Sequence, residues 1–129
     1  MGMVSFEAFR TVDGAPVYLQ IINFIKRGAI AGTIRDGDEL PSRRVLSALL
    51  GINPNTVQKA FHMLEEEHLM ESRTGAKSCM TLPPDTLDAL RREVLSDELR
   101  AMARTLRQLG ISQEEALRLI EQAWKEEEG

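Results

Sequence analysis

The feature that most constrains this chain is a pair of short helical patterns separated by the tripeptide Gly51-Ile52-Asn53. Ser42, before the first pattern, is a residue type that caps helices, and Gly51 readily adopts the left-handed conformation that ends them. Asn53 is a second capping residue. Pro54 follows it and is tolerated at a first helical position, where its missing N–H would have no partner. The sequence therefore predicts two helices joined by a tight turn, over about residues 43–62.

These two helices are predicted to have one apolar side and one polar side each. The residues expected to face inward from the first helix are Val45, Leu46, Leu49 and Leu50. The apolar face of the second helix, at helical spacing, consists of Val57, Ala60, Phe61 and Leu64. The opposite face carries the polar side chains of Asn55, Gln58, Lys59 and His62. A helix-turn-helix with a hydrogen-bonding outer face on its second helix is typical of a unit that places this helix in the major groove of DNA.

The flanking segments complete a winged helix-turn-helix domain within residues 1–82. Two strand-like runs around Thr74-Gly75 predict a β-hairpin, or wing, over about residues 69–82. An earlier helix beginning at Pro16 has an apolar stripe and is expected to be scaffold. The first 15 residues are expected to form an arm that lays Phe6, Phe9 or both on the domain. The predicted fold class is thus mostly α with a small β-hairpin, followed by a C-terminal helical tail.

Residues 83–129 are predicted to form this two-helix tail, since Leu82-Pro83-Pro84 interrupts regular structure. From Leu95 the apolar residues recur at steps of four, three, four and three, as in a heptad seam. Gly110 ends that helix, and Ser112 opens a capping box for the last one. The positions assigned to dimerisation are Leu95, Leu99, Met102, Leu106, Leu109, Ile120 and Trp124.

A second copy of the chain is the preferred partner for the tail, because recognition of palindromic DNA requires two-fold symmetry. Packing of the tail on its own winged domain is the alternative. The net charge differs between the predicted DNA-binding part and the tail. Residues 1–82 hold nine Lys and Arg and nine Asp and Glu, whereas residues 83–129 hold seven and eleven. The acidity therefore belongs to the tail, and DNA affinity must come from local clusters of cations and from dimerisation.

Residues Pro16 to about Leu82 resemble the winged-helix domain of the GntR family of bacterial transcription regulators. The resemblance rests on the motifs P-x-Y-x-Q-I, G-D-x-L-P-S-x-R, L-x-x-L-G-I and N-T-V-x-x-A, and on a wing ending in x-G. Two positions depart from the family pattern: Ala76 stands where many members have a second glycine, and Pro54 where many have a DNA-contacting arginine. The short tail, with its L-G-I-S-x-E-E pattern, resembles the YtrA branch. This implies a dimeric regulator, typically a repressor, often of an operon for an ABC-type transporter.

The expected DNA contacts fall in three groups. Arg44 matches a DNA-contacting arginine of the family, and Arg43 is its neighbour. At the start of the second helix, backbone N–H groups favour phosphate, and Gln58 can pair with adenine while Lys59 contacts phosphate. Cations at the wing tip would approach the minor groove. The full set is Arg43, Arg44, Asn53, Asn55, Thr56, Gln58, Lys59, His62, Arg73, Thr74, Gly75 and Lys77.

Other functions find less support in the sequence. No catalytic motif is present, His62 and His68 lack companions at metal-ligand spacing, and no cofactor is expected. The acidic run Glu65-Glu66-Glu67 is interpreted as a solvated face. With one cysteine, no signal peptide and no apolar run near the length of a membrane span, the chain is expected to be cytoplasmic and not to bind membranes. The alternatives left open are a protein-interaction module without specific DNA binding and, compatible with a regulator, a switch that senses an unidentified effector.

Overall fold

The computed structural model describes residues 2–73 and 77–129, which contain five helices and three strands. In chain order they are α1 (Val17–Ala31), β1 (Glu39–Leu40), α2 (Arg43–Leu50), α3 (Pro54–Glu66), β2 (Met70–Arg73), β3 (Lys77–Met80), α4 (Pro84–Gln108) and α5 (Gln113–Glu128). The chain divides into two compact units, Met1–Arg91 and Arg92–Gly129. The first unit contains the winged helix-turn-helix, so the predicted mostly helical fold with a small β-hairpin is confirmed. The first two turns of α4 belong to this unit, and Leu90 on them is buried.

The helices of the helix-turn-helix begin and end at the capping residues that the sequence predicts. The Ser42 hydroxyl accepts a hydrogen bond from the backbone N–H of Val45, which satisfies a free donor of the first turn of α2. Gly51 ends α2 at a φ of 66°, a conformation that a side chain would disfavour. The side chain of Asn53 accepts from the N–H of Asn55, and Pro54 is the first residue of α3. Local capping chemistry therefore fixes where both helices start and where α2 stops.

The core of the first unit lies between α1 and α3. All four residues of the predicted inner face of α3 are buried. From α1 the buried side chains are those of Ile21, Ile22, Ile25 and Ala29. Phe24 of α1 packs instead against the N-terminal arm. Two phenylalanines of this arm, Phe6 and Phe9, are buried and lie beside its ring. The ring centres of Phe6 and Phe24 are 5.2 Å apart, and those of Phe9 and Phe24 are 5.4 Å apart.

The prediction for the inner side of α2 was wrong in part. Leu46 is completely buried, but Val45 is 50% exposed and Leu49 is 69% exposed. Helix α2 has only eight residues and Leu46 is the one that it buries, so its buried face is narrower than the spacing of its apolar residues predicts. Val45 and Leu49 instead line a groove of about 650 Å³ together with residues of the N-terminal arm. The helical spacing of apolar residues identified the helix but overestimated the width of its buried face.

A three-stranded antiparallel sheet in the order β1-β3-β2 completes the first unit. Strands β2 and β3 form the predicted wing hairpin, with Met70 opposite Met80 and Arg73 opposite Lys77. Strand β1 was not predicted, because two residues are too few to show an alternating pattern. The N-terminal arm extends the sheet beyond β1: the N–H of Val4 donates to the carbonyl of Glu39 at 2.8 Å, and the N–H of Glu39 donates to the carbonyl of Gly2 at 2.9 Å.

The second unit contains the rest of α4, a short turn and α5. Gly110 adopts a φ of 78° at the turn, and its N–H donates to the carbonyl of Arg107 at 3.0 Å. The Ser112 hydroxyl accepts from the N–H of Glu115, as the predicted capping box requires. No residue of α5 is buried within the single chain. None of the described helices is long and apolar enough to cross a membrane.

Candidate nucleic-acid interface

The two predicted contact residues of α2 stand on its first turn. Arg43 and Arg44 are the first two residues of the helix, directly after the capping Ser42, and both side chains are exposed. The cap fixes the backbone from which they project, so their position is set by the start of the helix. Two adjacent exposed guanidinium groups at a helix start provide ten N–H donors of fixed geometry, which suits the oxygens of a nucleic-acid backbone.

The start of α3 presents a second group of polar side chains. Asn53, Asn55 and Gln58 are exposed, and Thr56 is half-buried. The Asn53 side-chain oxygen is used by the cap, at 2.8 Å from the Asn55 nitrogen, which leaves the amide NH₂ of Asn53 to donate elsewhere. The backbone N–H groups of the first turn are already used, since Pro54 has none and those of Asn55 and Thr56 donate to the side-chain and main-chain oxygens of Asn53. The exposed side-chain amides at this end of α3 can donate hydrogen bonds to phosphate or to base acceptors.

Three of the predicted contact residues are brought together in one polar cleft of about 180 Å³. Arg43 reaches it from α2, and Gln58 and His62 reach it from successive turns of α3. The remaining residues that line the cleft are Ser42, Phe61, Glu65 and Ser78. Ser78 belongs to β3, so the cleft joins both helices of the helix-turn-helix to the wing strands. Sequence reasoning treated these three elements as separate contact groups, and the fold makes them one surface.

Lys59 does not line this cleft. Its ammonium nitrogen lies 4.0 Å from the centre of the Tyr18 ring, over its face, on the side of α3 that is next to α1. A cation over an aromatic face is attracted by the ring quadrupole, by about 0.5–1 kcal/mol at an exposed site. The contact therefore orients the Lys59 side chain toward α1. Tyr18 belongs to the motif P-x-Y-x-Q-I, but its contact with Lys59 could not be predicted from that motif.

The chemistry of α3 changes along its length. Its last two turns carry Glu65 and Glu66, and the Nε2 atom of His62 lies 2.6 Å from a carboxylate oxygen of Glu66. Both side chains of this pair are largely exposed, so the contact contributes little to stability. It does place a hydrogen-bond acceptor next to the His62 ring. Donors and cations thus lie toward the start of α3, the end that a recognition helix commonly presents to base edges.

The wing brings two further cations together. Arg73 ends β2 and Lys77 begins β3, and these residues are direct partners across the hairpin. Arg73 also lies 4.0 Å from a Glu71 carboxylate oxygen, and both side chains are exposed. Like charges directly opposite one another in a hairpin are unfavourable unless an anion lies near them. The predicted contacts Thr74 and Gly75 lie outside the described residues.

The apolar positions of the second unit are largely uncovered. Leu95, Leu99, Met102, Leu109, Ile120 and Trp124 are between 38% and 70% exposed, and Leu106 is half-buried. Leu99, Met102 and Leu106 of α4 face Ile120 and Leu117 of α5 across an open groove of about 600 Å³. Trp124 lies further along α5, beside Ile120 in a shallower depression. Leu95 and Leu109 line neither concavity.

Comparison with known proteins identifies the domain that carries this interface. Residues 17–77 match the family described as "Bacterial regulatory proteins, gntR family". These residues form a helix-turn-helix domain of the GntR family. This span includes α1, the helix-turn-helix and the first strand of the wing, so the family assignment rests on the elements that form the cleft.

Similarity to known proteins extends beyond this GntR domain. The chain is 28% identical over 102 residues to the uncharacterized HTH-type transcriptional regulator YhcF of Bacillus subtilis, covering 79% of this chain and 84% of that protein. It is 41% identical over 63 residues to the HTH-type transcriptional repressor YtrA of the same organism, covering 49% and 48%. A solved GntR family transcriptional regulator from Listeria monocytogenes is 27% identical and superposes with a TM-score of 0.80, covering 87% of this chain and 98% of the other.

These relatives are DNA-binding transcription regulators and not enzymes. The likeness to YtrA supports the YtrA-like branch of the GntR family. Among residues 2–73 and 77–129, no group of three or more His, Cys, Asp and Glu side chains is arranged to hold a metal ion. The concave, donor-rich surface on α2, α3 and β3 is accordingly the candidate nucleic-acid interface.

Proposed function

We propose that this GntR protein is a sequence-specific repressor that binds a palindromic operator in double-stranded DNA as a homodimer. The observation that carries the proposal is the polar cleft in which Arg43, Gln58 and His62 meet at the start and middle of α3. A helix with donors and amide groups on its exposed face and a fully buried opposite face has the organisation that a recognition helix requires.

Within this proposal the contact residues divide by chemistry. Arg43, Arg44 and Lys59 contact phosphates, as do the side chains of Asn53, Asn55 and Thr56 at the start of α3. Gln58 reads a base edge, with adenine as the partner that its amide can bind bidentately. His62 donates to the DNA backbone. The wing residues Arg73, Thr74, Gly75 and Lys77 approach the minor groove or its phosphates.

The homodimer is proposed to form through residues 83–129, with residues 1–82 as the DNA-binding part. The exposed row along α4 and α5 supports this, because soluble monomers rarely leave a contiguous apolar surface of this kind uncovered. The C2 symmetry of such a dimer would match two operator half-sites about one helical turn, ~34–36 Å, or a multiple of it apart. Each copy would then supply one cleft to one half-site.

The regulatory setting is proposed by analogy. The name of the Bacillus subtilis relative describes YtrA as a repressor, which supports a repressing role here. Control of an ABC-type transporter operon follows from the resemblance to the YtrA branch, and a bacterial operator places the protein in the cytoplasm. An effector, if one acts, would change the geometry of the dimer and thereby the spacing of the two recognition helices.

Selection from a random duplex library, followed by titration of the selected site at several salt concentrations, tests the proposal. We expect a palindromic motif, a steep fall of affinity with salt and resistance to competitor DNA. Binding that is equal for all sequences would contradict a specific regulator. The same titration with a single half-site should give markedly weaker binding, since only one of two linked contacts is then made.

A further inference from the structure

The polar cleft contains a carboxylate, that of Glu65, and we propose that this group reads the amino group of a cytosine in each half-site. The inference rests on the DNA-binding role proposed above and adds a specificity-determining residue to it. Sequence reasoning had placed Glu65 with its neighbours in a solvated acidic run. The fold separates the three glutamates and gives each a different environment.

Glu65 differs from the two glutamates that follow it. Glu66 is largely exposed beside His62, and the Glu67 carboxylate lies 2.8 Å from the Lys26 ammonium group at the far side of the helix. Glu65 is half-buried and lines the cleft. Its Oε1 atom accepts a hydrogen bond of 3.2 Å from the Ser72 hydroxyl of β2. This bond restricts the side chain to one region, so less conformational entropy remains to be lost when a ligand binds.

The chemistry of an ionised carboxylate limits what it can contact on DNA. It has only acceptors, so it repels phosphate oxygens and requires a donor. In the major groove the exocyclic donors are N4 of cytosine and N6 of adenine. Adenine presents its N7 acceptor beside N6, which a second carboxylate oxygen would oppose, whereas the N4 group of cytosine is the established partner of Glu and Asp. Cytosine is therefore the base that Glu65 favours.

The position of this cytosine follows from the geometry of α3. Gln58 and Glu65 are seven residues apart, which is close to two helical turns, so they lie on one face about 10.5 Å apart along the axis. Successive base pairs are about 3.4 Å apart. A helix that lies along the groove over its whole length would thus place the Glu65 contact about three base pairs from the one made by Gln58. Both residues line the same cleft, as this arrangement requires.

Motif selection with matched variants separates this role from a purely structural one. Glu65→Gln keeps the size of the side chain and an acceptor for Ser72 but adds an amide donor, which suits adenine. We expect cytosine to be replaced by adenine at one position in each half-site, with the other positions unchanged. Ser72→Ala removes the tether but leaves the carboxylate, so cytosine should remain preferred there, by a smaller factor. Far-UV circular dichroism checks that both variants keep the fold.

A second measurement changes the operator and compares the unchanged protein with Glu65→Gln. Replacing that C·G pair by T·A in the selected operator removes the N4 donor and should weaken binding about tenfold or more. Glu65→Gln should lose this discrimination. A motif unaltered by Glu65→Gln, or an equal loss at every position, would overturn the role of Glu65 and leave it as a link between α3 and β2. If the unchanged chain selects no motif at all, the proposed function fails, and this inference fails with it.

Discussion

The ammonium group of Lys59 is held 4.0 Å from the centre of the Tyr18 ring, which links the second turn of α3 to the first turn of α1. Lys59 is thus a cation whose position is set by a residue outside the helix-turn-helix. The contact reduces the freedom of a long side chain before any DNA is bound. We therefore expect Tyr18 to influence DNA affinity without direct contact to the DNA.

Lys59→Ala should weaken binding to all DNA sequences alike and lower the slope of log affinity against log salt by about one, as expected for one lost phosphate contact. Tyr18→Phe retains the ring face and should change neither quantity. Tyr18→Leu should weaken binding by a few fold, and only when Lys59 is present. Salt titrations of the four variants, including the double variant, measure this coupling. An effect of Tyr18→Leu that persists in the Lys59→Ala background would show that the ring does not act through Lys59.

Gln58→Ala is expected to change specificity more than stability. The side chain is exposed and makes no contribution to the core, so the free energy of unfolding should change by less than about 0.5 kcal/mol. Preference at one base pair of each half-site should be relaxed, at a cost of roughly 1–3 kcal/mol of discrimination. A selected motif identical to that of the unchanged protein would contradict base reading by Gln58. Asn55, also exposed, offers a comparison variant on the preceding turn.

Charges introduced into the groove of the second unit should prevent dimerisation. Leu99→Glu combined with Leu106→Glu places two carboxylates among apolar side chains that a second copy would bury. Sedimentation should then report monomers at tens of micromolar, and operator affinity should fall to that of a single half-site. Arg104→Glu adds an acidic side chain at an exposed position of α4 that does not line the groove, and it should leave the dimer intact. An unchanged protein that sediments as a monomer would refute the assignment.

The two leucines of α2 should respond differently to truncation. Leu46→Ala removes a completely buried side chain and should lower the free energy of unfolding by about 2–5 kcal/mol. Leu49→Ala removes an exposed one and should change it by less than about 0.5 kcal/mol. Denaturant titration of both variants gives the comparison. Equal losses would mean that Leu49 is covered in solution, which would direct attention to the groove beside the N-terminal arm.

Local signals predicted the architecture well. The caps at Ser42, Asn53 and Ser112 and the left-handed glycine at Gly51 depend on a few neighbouring atoms, and a sequence displays those directly. The buried face of α3 was also predicted, because a helix of 13 residues shows its period clearly.

Features that depend on distant parts of the chain were not predicted. Strand β1 exists because β3 offers it hydrogen bonds, and its two residues carry no pattern of their own. The hydrogen bond from Ser72 to Glu65 joins a strand to a helix. The sequence does not show which of the three consecutive glutamates accepts this bond. Exposure of Leu49 has the same origin, since the width of a helix contact is decided by the partner. The arrangement of the site could therefore be seen only in the fold, whereas its residue types could be predicted from the sequence.

The arm that pairs with β1 has a further consequence for the behaviour of the protein in solution. A sheet ends in a row of unsatisfied N–H and C=O groups that can recruit a strand from another molecule. Here Gly2 and Val4 occupy that row next to Glu39, and the buried Asp38 carboxylate accepts from the N–H of Gly2 at 3.2 Å. The opposite margin, β2, presents the exposed charges of Glu71 and Arg73. Shortening the arm would therefore uncover a site for edge-to-edge aggregation while leaving the recognition helix and its side chains in place.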